Sequence, residues 1–228
     1  PTLSDPDIYD HRNIHCDVLV VGAGISGILA AKNAAKNNYK TLLLDEKNEL
    51  GGSTIYENNE SNKIDNKISS EWLKKEIEEL KNIKNLEIKT RTSVAAYHQY
   101  NYLLARENLT DHLEKKDKTN KIRQRLLKIR AKKVILATGA LERPMVFNNN
   151  DRPGIMLSSA IKKYSDFYGV ACGRKIIFFT NNDSAYESAL SLNDKGIKVE
   201  ALVDIRKQSE TNLEKRVIDA GIKIYWEH

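Results

Sequence analysis

The sequence predicts an α/β fold built on a parallel sheet, and three observations carry that expectation. Short, nearly unbroken apolar runs recur at Val18-Leu19-Val20-Val21, Thr41-Leu42-Leu43-Leu44 and Val134-Ile135-Leu136-Ala137, as in strands covered on both faces. A glycine-rich turn, Gly22-Ala23-Gly24-Ile25-Ser26-Gly27, separates the first run from a segment with helical spacing. From residue 151 onward, strand-like and helix-like segments alternate strictly, the pattern of a layered α/β unit.

The elements follow in order. Residues 1–15 are polar with little periodicity and read as an N-terminal arm, the strand signal starting at Asp17. Ile25, Ile28, Leu29, Ala31 and Ala35 give residues 25–36 one apolar helical face, and with the strand at 41–44 they complete a right-handed βαβ unit. After a polar loop at 51–67, Ser69 or Ser70 caps a helix whose apolar face is Trp72, Leu73, Ile77, Leu80 and Ile83. A strand at 86–89 follows. Residues 92–97, 100–105 and 121–130 read as short antiparallel strands of a β-meander, and the apolar run at 134–137 returns the chain to the parallel sheet. Beyond Asp151-Arg152-Pro153-Gly154 the order is helix 158–168, strand 175–179, helix 184–192, strand 198–203, helix 213–220 and strand 222–226. The expected organisation is an arm at 1–15, a nucleotide-binding domain at 16–145 and a second, truncated unit of the same kind at 146–228. A first residue that is not methionine, and a last strand running to His228, lead us to expect an internal piece of a longer polypeptide.

Composition narrows the class. With 228 residues, 40% of them hydrophobic, and 11 glycines, the chain is neither disordered nor collagenous. Mean hydropathy is −0.54. No apolar run approaches the roughly 18 residues of a membrane span, and no export segment opens the chain. Cys16 and Cys172 are too few for a disulfide framework or a thiolate zinc site, which points to a reducing compartment, the cytoplasm. His11, His15 and Cys16 are the nearest approach to a metal cluster, and we expect no metal there. The net charge of +6 is concentrated: residues 114–133 hold ten Lys/Arg against Glu114 and Asp117. One basic segment without interleaved aromatics argues against nucleic acid, leaving a solvated face or a docking surface for an acidic partner.

The chemistry lies in the turns. In a G-x-G-x-x-G between strand and helix, Gly22 permits the tight turn, Gly24 lets the backbone approach a pyrophosphate and Gly27 lets helix and strand pack closely. Ile25 and Ser26 open the helix, where backbone N–H groups face the phosphates. Asp45 and Glu46 end the second strand about 20 residues beyond the glycines, where a carboxylate accepts from the ribose hydroxyls and repels a 2′-phosphate. That favours NAD or FAD over NADP, with Lys47 beside them moderating the preference. Which acid points inward stays open. Gly51, Gly52 and Ser53 form a second glycine turn, Thr138 and Gly139 a third small-residue turn, and Val94 on the first meander strand completes the candidate set. The fold class is therefore a Rossmann-like FAD/NAD(P)-binding domain with parallel sheet and β-meander, followed by part of a second Rossmann-like unit. Elsewhere, Tyr97, His98, Tyr100 and Tyr102 mark a hairpin turn whose aromatics pack across strands or contact a cofactor, and Arg143 is placed to reach a phosphate or a partner. No nucleophile and no acid/base pair stands out.

In this order, the three turns resemble those of the flavoproteins with two dinucleotide-binding domains. The resemblance is closer still to the α subunits of heterotetrameric sarcosine oxidases. It is carried by residues 16–24, Asn101-Tyr102-Leu103-Leu104-Ala105, Thr138-Gly139-Ala140-Leu141-Glu142-Arg143-Pro144, Asn149-Asn150-Asp151-Arg152-Pro153-Gly154 and Thr180-Asn181-Asn182-Asp183-Ser184-Ala185-Tyr186. The resemblance implies an oxidoreductase subunit in the oxidative demethylation of sarcosine to glycine, with oxygen reduced to peroxide and the one-carbon unit passed to tetrahydrofolate. It also implies NAD in the first site, redox flavins on a neighbouring β subunit and no catalytic residue in this chain. Two departures matter. Disulfide reductases of the superfamily carry a cysteine pair soon after the G-G turn, and residues 52–66 contain none. In the second unit, Thr180 and Asn182 stand at the first two glycine positions and only Ala185 fits the third, so we expect that site to be empty. The alternatives are the FAD-binding half of a related amine or amino-acid dehydrogenase, and a non-catalytic, nucleotide-dependent assembly module docking through the basic stretch.

Overall fold

The computed structural model describes residues 5, 7–56, 63–114, 117 and 121–228. The chain divides into two units, Pro1–Gly139 and Ala140–His228. This boundary falls earlier than the break between 145 and 146 that the sequence suggested. The reason is local: Glu142 accepts hydrogen bonds from the Ser158 N–H and hydroxyl at 3.1 and 3.0 Å and from the Ser159 N–H at 2.8 Å. It thereby caps a helix of the second unit.

In the first unit the elements run β1 (Ile8–Val21), α1 (Ile25–Lys36), β2 (Thr41–Leu44), the two-residue pair β3 (Lys63–Ile64) and β4 (Lys67–Ile68), and α2 (Ser69–Lys81). Next come β5 (Leu86–Lys89), β6 (Thr92–His98), β7 (Tyr102–Asn108) and β8 (Ile122–Leu136). The six-stranded sheet has the order β5-β2-β1-β8-β7-β6. Strands β5, β2, β1 and β8 are mutually parallel, and β7 is antiparallel to both β6 and β8. One core lies on the helical side, where Ile28, Ala31, Trp72, Leu73 and Leu80 pack on Val20 and Leu43. A second, with Leu19, Leu42, Leu103, Leu127 and Ile129, fills the other face beneath the meander. Each fully buried leucine contributes about 1.5–3 kcal/mol, so the two layers hold the sheet from both sides. Helix α2 starts at Ser69 itself, so neither serine stands ahead of it as a cap.

Two expectations are corrected here. Residues 8–15 are not an arm but the first half of β1, paired in parallel with Ile122–Arg130 of β8. Their polarity is explained by charge pairing along the ladder: Asp10 accepts from Arg125 at 2.9 Å, and Asp7 pairs with Arg123. The segments 121–130 and 134–137 are likewise one strand, because Ala131-Lys132-Lys133 contains no turn residue to interrupt β8. Beyond Arg130 the partner β7 is no longer beside β8, so its end is flanked only by β1. Leu136, expected to be buried, is 59% exposed for that reason.

The second unit contains α3 (Ser158–Tyr168), β9 (Lys175–Thr180), α4 (Ser184–Asp194), β10 (Lys198–Asp204), α5 (Asn212–Asp219) and β11 (Lys223–Trp226). Its parallel sheet has the order β11-β10-β9. Ile176 and Phe178 of β9 point into a core with Tyr186, Leu192, Leu202 and Val217. No helix among the described residues is long and apolar enough to cross a membrane.

Candidate functional site

The glycine-rich turn sits where β1, β2 and β8 end together. Gly22 donates to the Leu44 carbonyl at 2.8 Å, and Ala137 donates to the Val21 carbonyl at 2.8 Å. Gly22 has φ +97°, and a Cβ there would lie 2.3 Å from the Ala137 carbonyl oxygen and 3.2 Å from Thr138 Cα. Gly27 is tighter still, since its Cβ would lie 1.8 Å from the Gly22 carbonyl oxygen. These two glycines are therefore demanded by packing. Gly24 differs: a Cβ there would meet nothing within 4 Å.

Gly24 precedes α1 and its carbonyl accepts the Ile28 N–H at 2.9 Å. No side chain caps this helix, and its first turn holds no acid. The N–H groups of Ile25, Ser26 and Gly27 thus have no acceptor within the helix, and Ser26 is exposed. The second glycine turn leans on the first. Gly51 donates to the Ala23 carbonyl at 2.7 Å, and a Cβ on Gly52 would sit 3.0 Å from Gly24 Cα. Ser53 follows, exposed, in a single 3-10 turn over Gly52–Ile55. The arrangement is a shallow, backbone-lined cradle suited to an anion.

Asp45 is 8% exposed. One carboxylate oxygen accepts the Ala23 N–H at 2.6 Å, the other the Lys47 N–H at 2.8 Å. Glu46 is exposed and Lys47 half-buried, with the Lys47 carbonyl accepting the Arg91 N–H at 2.7 Å. Thr92 donates to the Asp45 carbonyl at 2.7 Å, which brings the start of β6 to the end of β2. Val94 lies two residues further, but its side chain packs on the core under the meander, leaving only its backbone to offer a ligand. Thr138 and Gly139 are exposed after β8, with Gly139 at φ +73° and open space on its Cβ side.

The structure therefore gathers Gly22, Gly24, Gly27, Asp45, Gly51, Gly52 and Thr138 around one turn, with Glu46, Ser53 and Gly139 exposed and Lys47 half-buried beside it. Two contributors were not singled out from sequence, Ala23 and Ala137. Both act through backbone atoms, and nothing in a side-chain pattern marks them.

The corresponding turn of the second unit is built differently. The Asn182 side-chain oxygen accepts the Ser184 N–H at 3.0 Å and its hydroxyl at 2.5 Å, occupying the start of α4. Thr180 and the Asn182 backbone exchange two hydrogen bonds, at 3.0 and 3.1 Å. At the end of β10, where the first unit carries Asp45, Asp204 is buried and accepts from Tyr186 at 2.9 Å and from Arg206 at 2.8 and 3.1 Å. Arg206 also reaches Asp183 at 2.9 Å. Burial opposes ionisation of Asp204, but the hydrogen bonds from Arg206 and Tyr186 outweigh it and hold its carboxyl below the ordinary value. The Tyr186 hydroxyl is pushed up by burial and by the Asp204 carboxylate.

Other candidates have surroundings of their own. Arg125 is buried and paired with Asp10 and Glu107, Arg123 is paired with Asp7 and Asp111, and Lys132 with Asp17 at 2.8 Å. Arg123 and Arg125 are thus paired within the unit; Lys115, Lys116 and Lys118 of the basic stretch lie outside the described residues. His98 and Tyr102 face each other at 5.9 Å, with Arg130 over the Tyr102 ring at 4.9 Å, so the hairpin aromatics pack across strands. Arg143 lines a cavity of about 660 Å³ in the second unit with Phe147, Met156 and Phe179. The Cys16 thiol is pushed up to about 11 by burial, unsuited to nucleophilic work. Among the described residues no group of three or more His, Cys, Asp or Glu is placed to hold a metal.

The family model described as pyridine nucleotide-disulphide oxidoreductase matches residues 19–223. The sarcosine oxidase subunit alpha of Corynebacterium sp. (strain P-1) is 40% identical over 221 residues, 97% of this chain and 22% of that protein. The subunit of the same name from Rhizobium meliloti (strain 1021) is 37% identical over 203 residues, 89% of this chain and 20% of its own length. The chain thus spans about a fifth of these curated relatives. Among solved structures, L-proline dehydrogenase from P. horikoshii superposes with a TM-score of 0.68 at 27% identity, covering 89% of this chain and 38% of that one. Thioredoxin reductase from Lactococcus lactis, at 20% identity, shares the fold with a TM-score of 0.63 over 93% of this chain and 64% of its own. By its turns, its sheet order and the match across most of its length, the chain belongs to the pyridine nucleotide-disulphide oxidoreductase family.

Proposed function

We propose that the first unit binds NAD and serves as the dinucleotide-binding portion of the α subunit of a cytoplasmic sarcosine oxidase complex. The observation that carries this reading is the uncapped start of α1 beside Gly24, whose missing side chain leaves open space where a pyrophosphate must approach. The residues present fit the group: Ile25, Ser26 and Gly27 offer backbone donors, and the acids after β2 suit an unphosphorylated ribose. Bound NAD supplies a nicotinamide able to accept or release hydride. This chain's own residues bind and orient it, and none is assigned to catalysis. In the whole assembly the reaction is the oxidative demethylation of sarcosine to glycine, with oxygen reduced to peroxide and the one-carbon unit passed to tetrahydrofolate. A partner β subunit carries the redox flavin.

Disulfide reduction is disfavoured despite the family's description. Cys16 is buried, Cys172 is far along the chain, and residues 52–66, just beyond the Gly51-Gly52 turn, hold no cysteine. A second reading, FAD in the same cradle of an amine or amino-acid dehydrogenase, is favoured by the likeness to L-proline dehydrogenase. The assembly-module reading would dock through the basic stretch at 114–133, in which Arg123 and Arg125 are already paired within the unit.

The test is an absorbance spectrum of the purified chain, then mass analysis of whatever denaturation releases. NAD without flavin bands supports the proposal. Released FAD overturns it in favour of the second reading.

A further inference from the structure

We propose that the outer face of the β-meander, continued onto the first half of β1, is a docking surface for a protein partner whose contacting side is rich in carboxylates. The surface is separate from the glycine turn and does not rest on the dinucleotide reading. Strand registers set its residues in rows. His98 of β6, Tyr102 of β7, Arg130 of β8 and His15 of β1 stand side by side. In the next row Lys128 lies between Leu104 and Asn13, and in the third Leu126 lies between Arg106 and His11. The residues that alternate with these, Leu103, Ala105, Leu127 and Ile129, are buried in the core, so the rows face the other way. Arg106, Arg130 and the three histidines are exposed, Lys128 is half-buried and Leu126 is 41% exposed.

The two faces of these strands treat charge in opposite ways. On the inner face every cation is matched: Arg125 holds Asp10 at 2.9 Å and Glu107 at 3.4 Å, and Lys89 holds Glu107 at 3.0 Å. The outer rows carry Arg106, Lys128 and Arg130 and no acid. Among the described residues the one charge contact of these three is Arg130 over the Tyr102 ring at 4.9 Å. Acids at the two ends of the face are already committed, Asp17 to Lys132 at 2.8 Å and Asp111 to Arg123 at 2.7 Å. A solvated face mixes both signs. Here the three cations stand about 7–8 Å from their neighbours by strand geometry, within about one Debye length, so their fields add. Carboxylates are the complement, and two of the three cations are arginines, whose planar fork pairs with a carboxylate through two hydrogen bonds. Leu104 and Leu126 among them supply the apolar contact of a protein interface. A nucleic acid would need a free aromatic ring on which to stack a base, and the Tyr102 ring is already covered by Arg130 and flanked by His98 at 5.9 Å.

The experiment uses the full chain and poly-L-glutamate as the carboxylate probe, read by fluorescence anisotropy, with oligo(dT) and phosphatidylserine vesicles as comparison anions. The parent is expected to bind poly-L-glutamate and to release it as salt rises. Arg106→Glu, Lys128→Glu and Arg130→Glu together are expected to weaken that binding by about tenfold or more. Lys207→Glu, Lys215→Glu and Arg216→Glu together change the net charge equally at exposed positions of the second unit, and are expected to leave it within about twofold of the parent. The proposal is overturned if both sets weaken the probe alike, which makes net charge the cause, or if the parent binds no poly-L-glutamate. It is also overturned if oligo(dT) or the vesicles bind more tightly than poly-L-glutamate and are lost with the first set, which makes the face a nucleic-acid or membrane site. Should the first set fail to fold, Arg106→Glu with Lys128→Glu leaves Arg130 on the Tyr102 ring and decides alone: parent affinity refutes the assignment.

Discussion

Gly27 tolerates the least change of any residue in the turn. An added methyl would lie 1.8 Å from the Gly22 carbonyl oxygen and 2.9 Å from its carbon, backbone atoms that cannot swing aside as a flexible side chain would. Gly27→Ala must push α1 off β1, with an expected loss of about 1–3 kcal/mol in denaturant unfolding. A stability equal to the parent's would show that helix and strand are not in the contact described. At this scale the sequence was partly readable. The glycines announced themselves by spacing, since only residue type could provide their geometry. Ala23 and Ala137 did not, because a hydrogen-bonding amide or an abutting carbonyl leaves no trace in side-chain identity. Asp45 and Glu46 both fit the motif in sequence, and only the fold shows that Asp45 accepts the Ala23 N–H while Glu46 is exposed.

Among elements, β1 and β8 show where periodicity runs out. Residues 8–15 look like an arm because their outward positions are charged and histidine-rich, yet Asp7 and Asp10 lie along the ladder beside Arg123 and Arg125. Strand pairing mediated by ion pairs carries no apolar alternation. The helices were legible because Trp72, Leu73 and Leu80 repeat on one face over a single packing layer. In the second unit, the end of β10 carries a titratable network. Asp204 has its carboxyl lowered from the ordinary value of 3.8 by Arg206 and Tyr186 against the opposing effect of burial. Its folded value lies below the unfolded one, so its contribution to stability is full above about pH 4 and fades as pH falls through the lower, folded value. Asp204→Asn is therefore expected to flatten the acid limb of the stability curve below about pH 4, followed by urea unfolding at several pH values. An acid limb as steep as the parent's would place the sensitivity elsewhere.

Across the whole molecule, one chain carries two Rossmann-like units whose turns after the first strand differ. The first is glycine-lined and uncapped, whereas the second is filled by Asn182 and bridged by Arg206 to Asp183 and Asp204. The broad architecture followed from the strand-helix alternation. The merging of the last meander strand into β8 did not, since nothing in the run from Ala131 to Lys133 signals whether a strand continues or turns. The central claim is that binding runs through the first turn alone. The most direct test is calorimetric titration of NAD into the parent chain and into Gly24→Ala, a substitution that meets nothing within 4 Å in the fold. The account predicts one saturable equivalent in the parent and none in a Gly24→Ala chain of unchanged melting temperature. An equivalent of NAD that survives the substitution would contradict it.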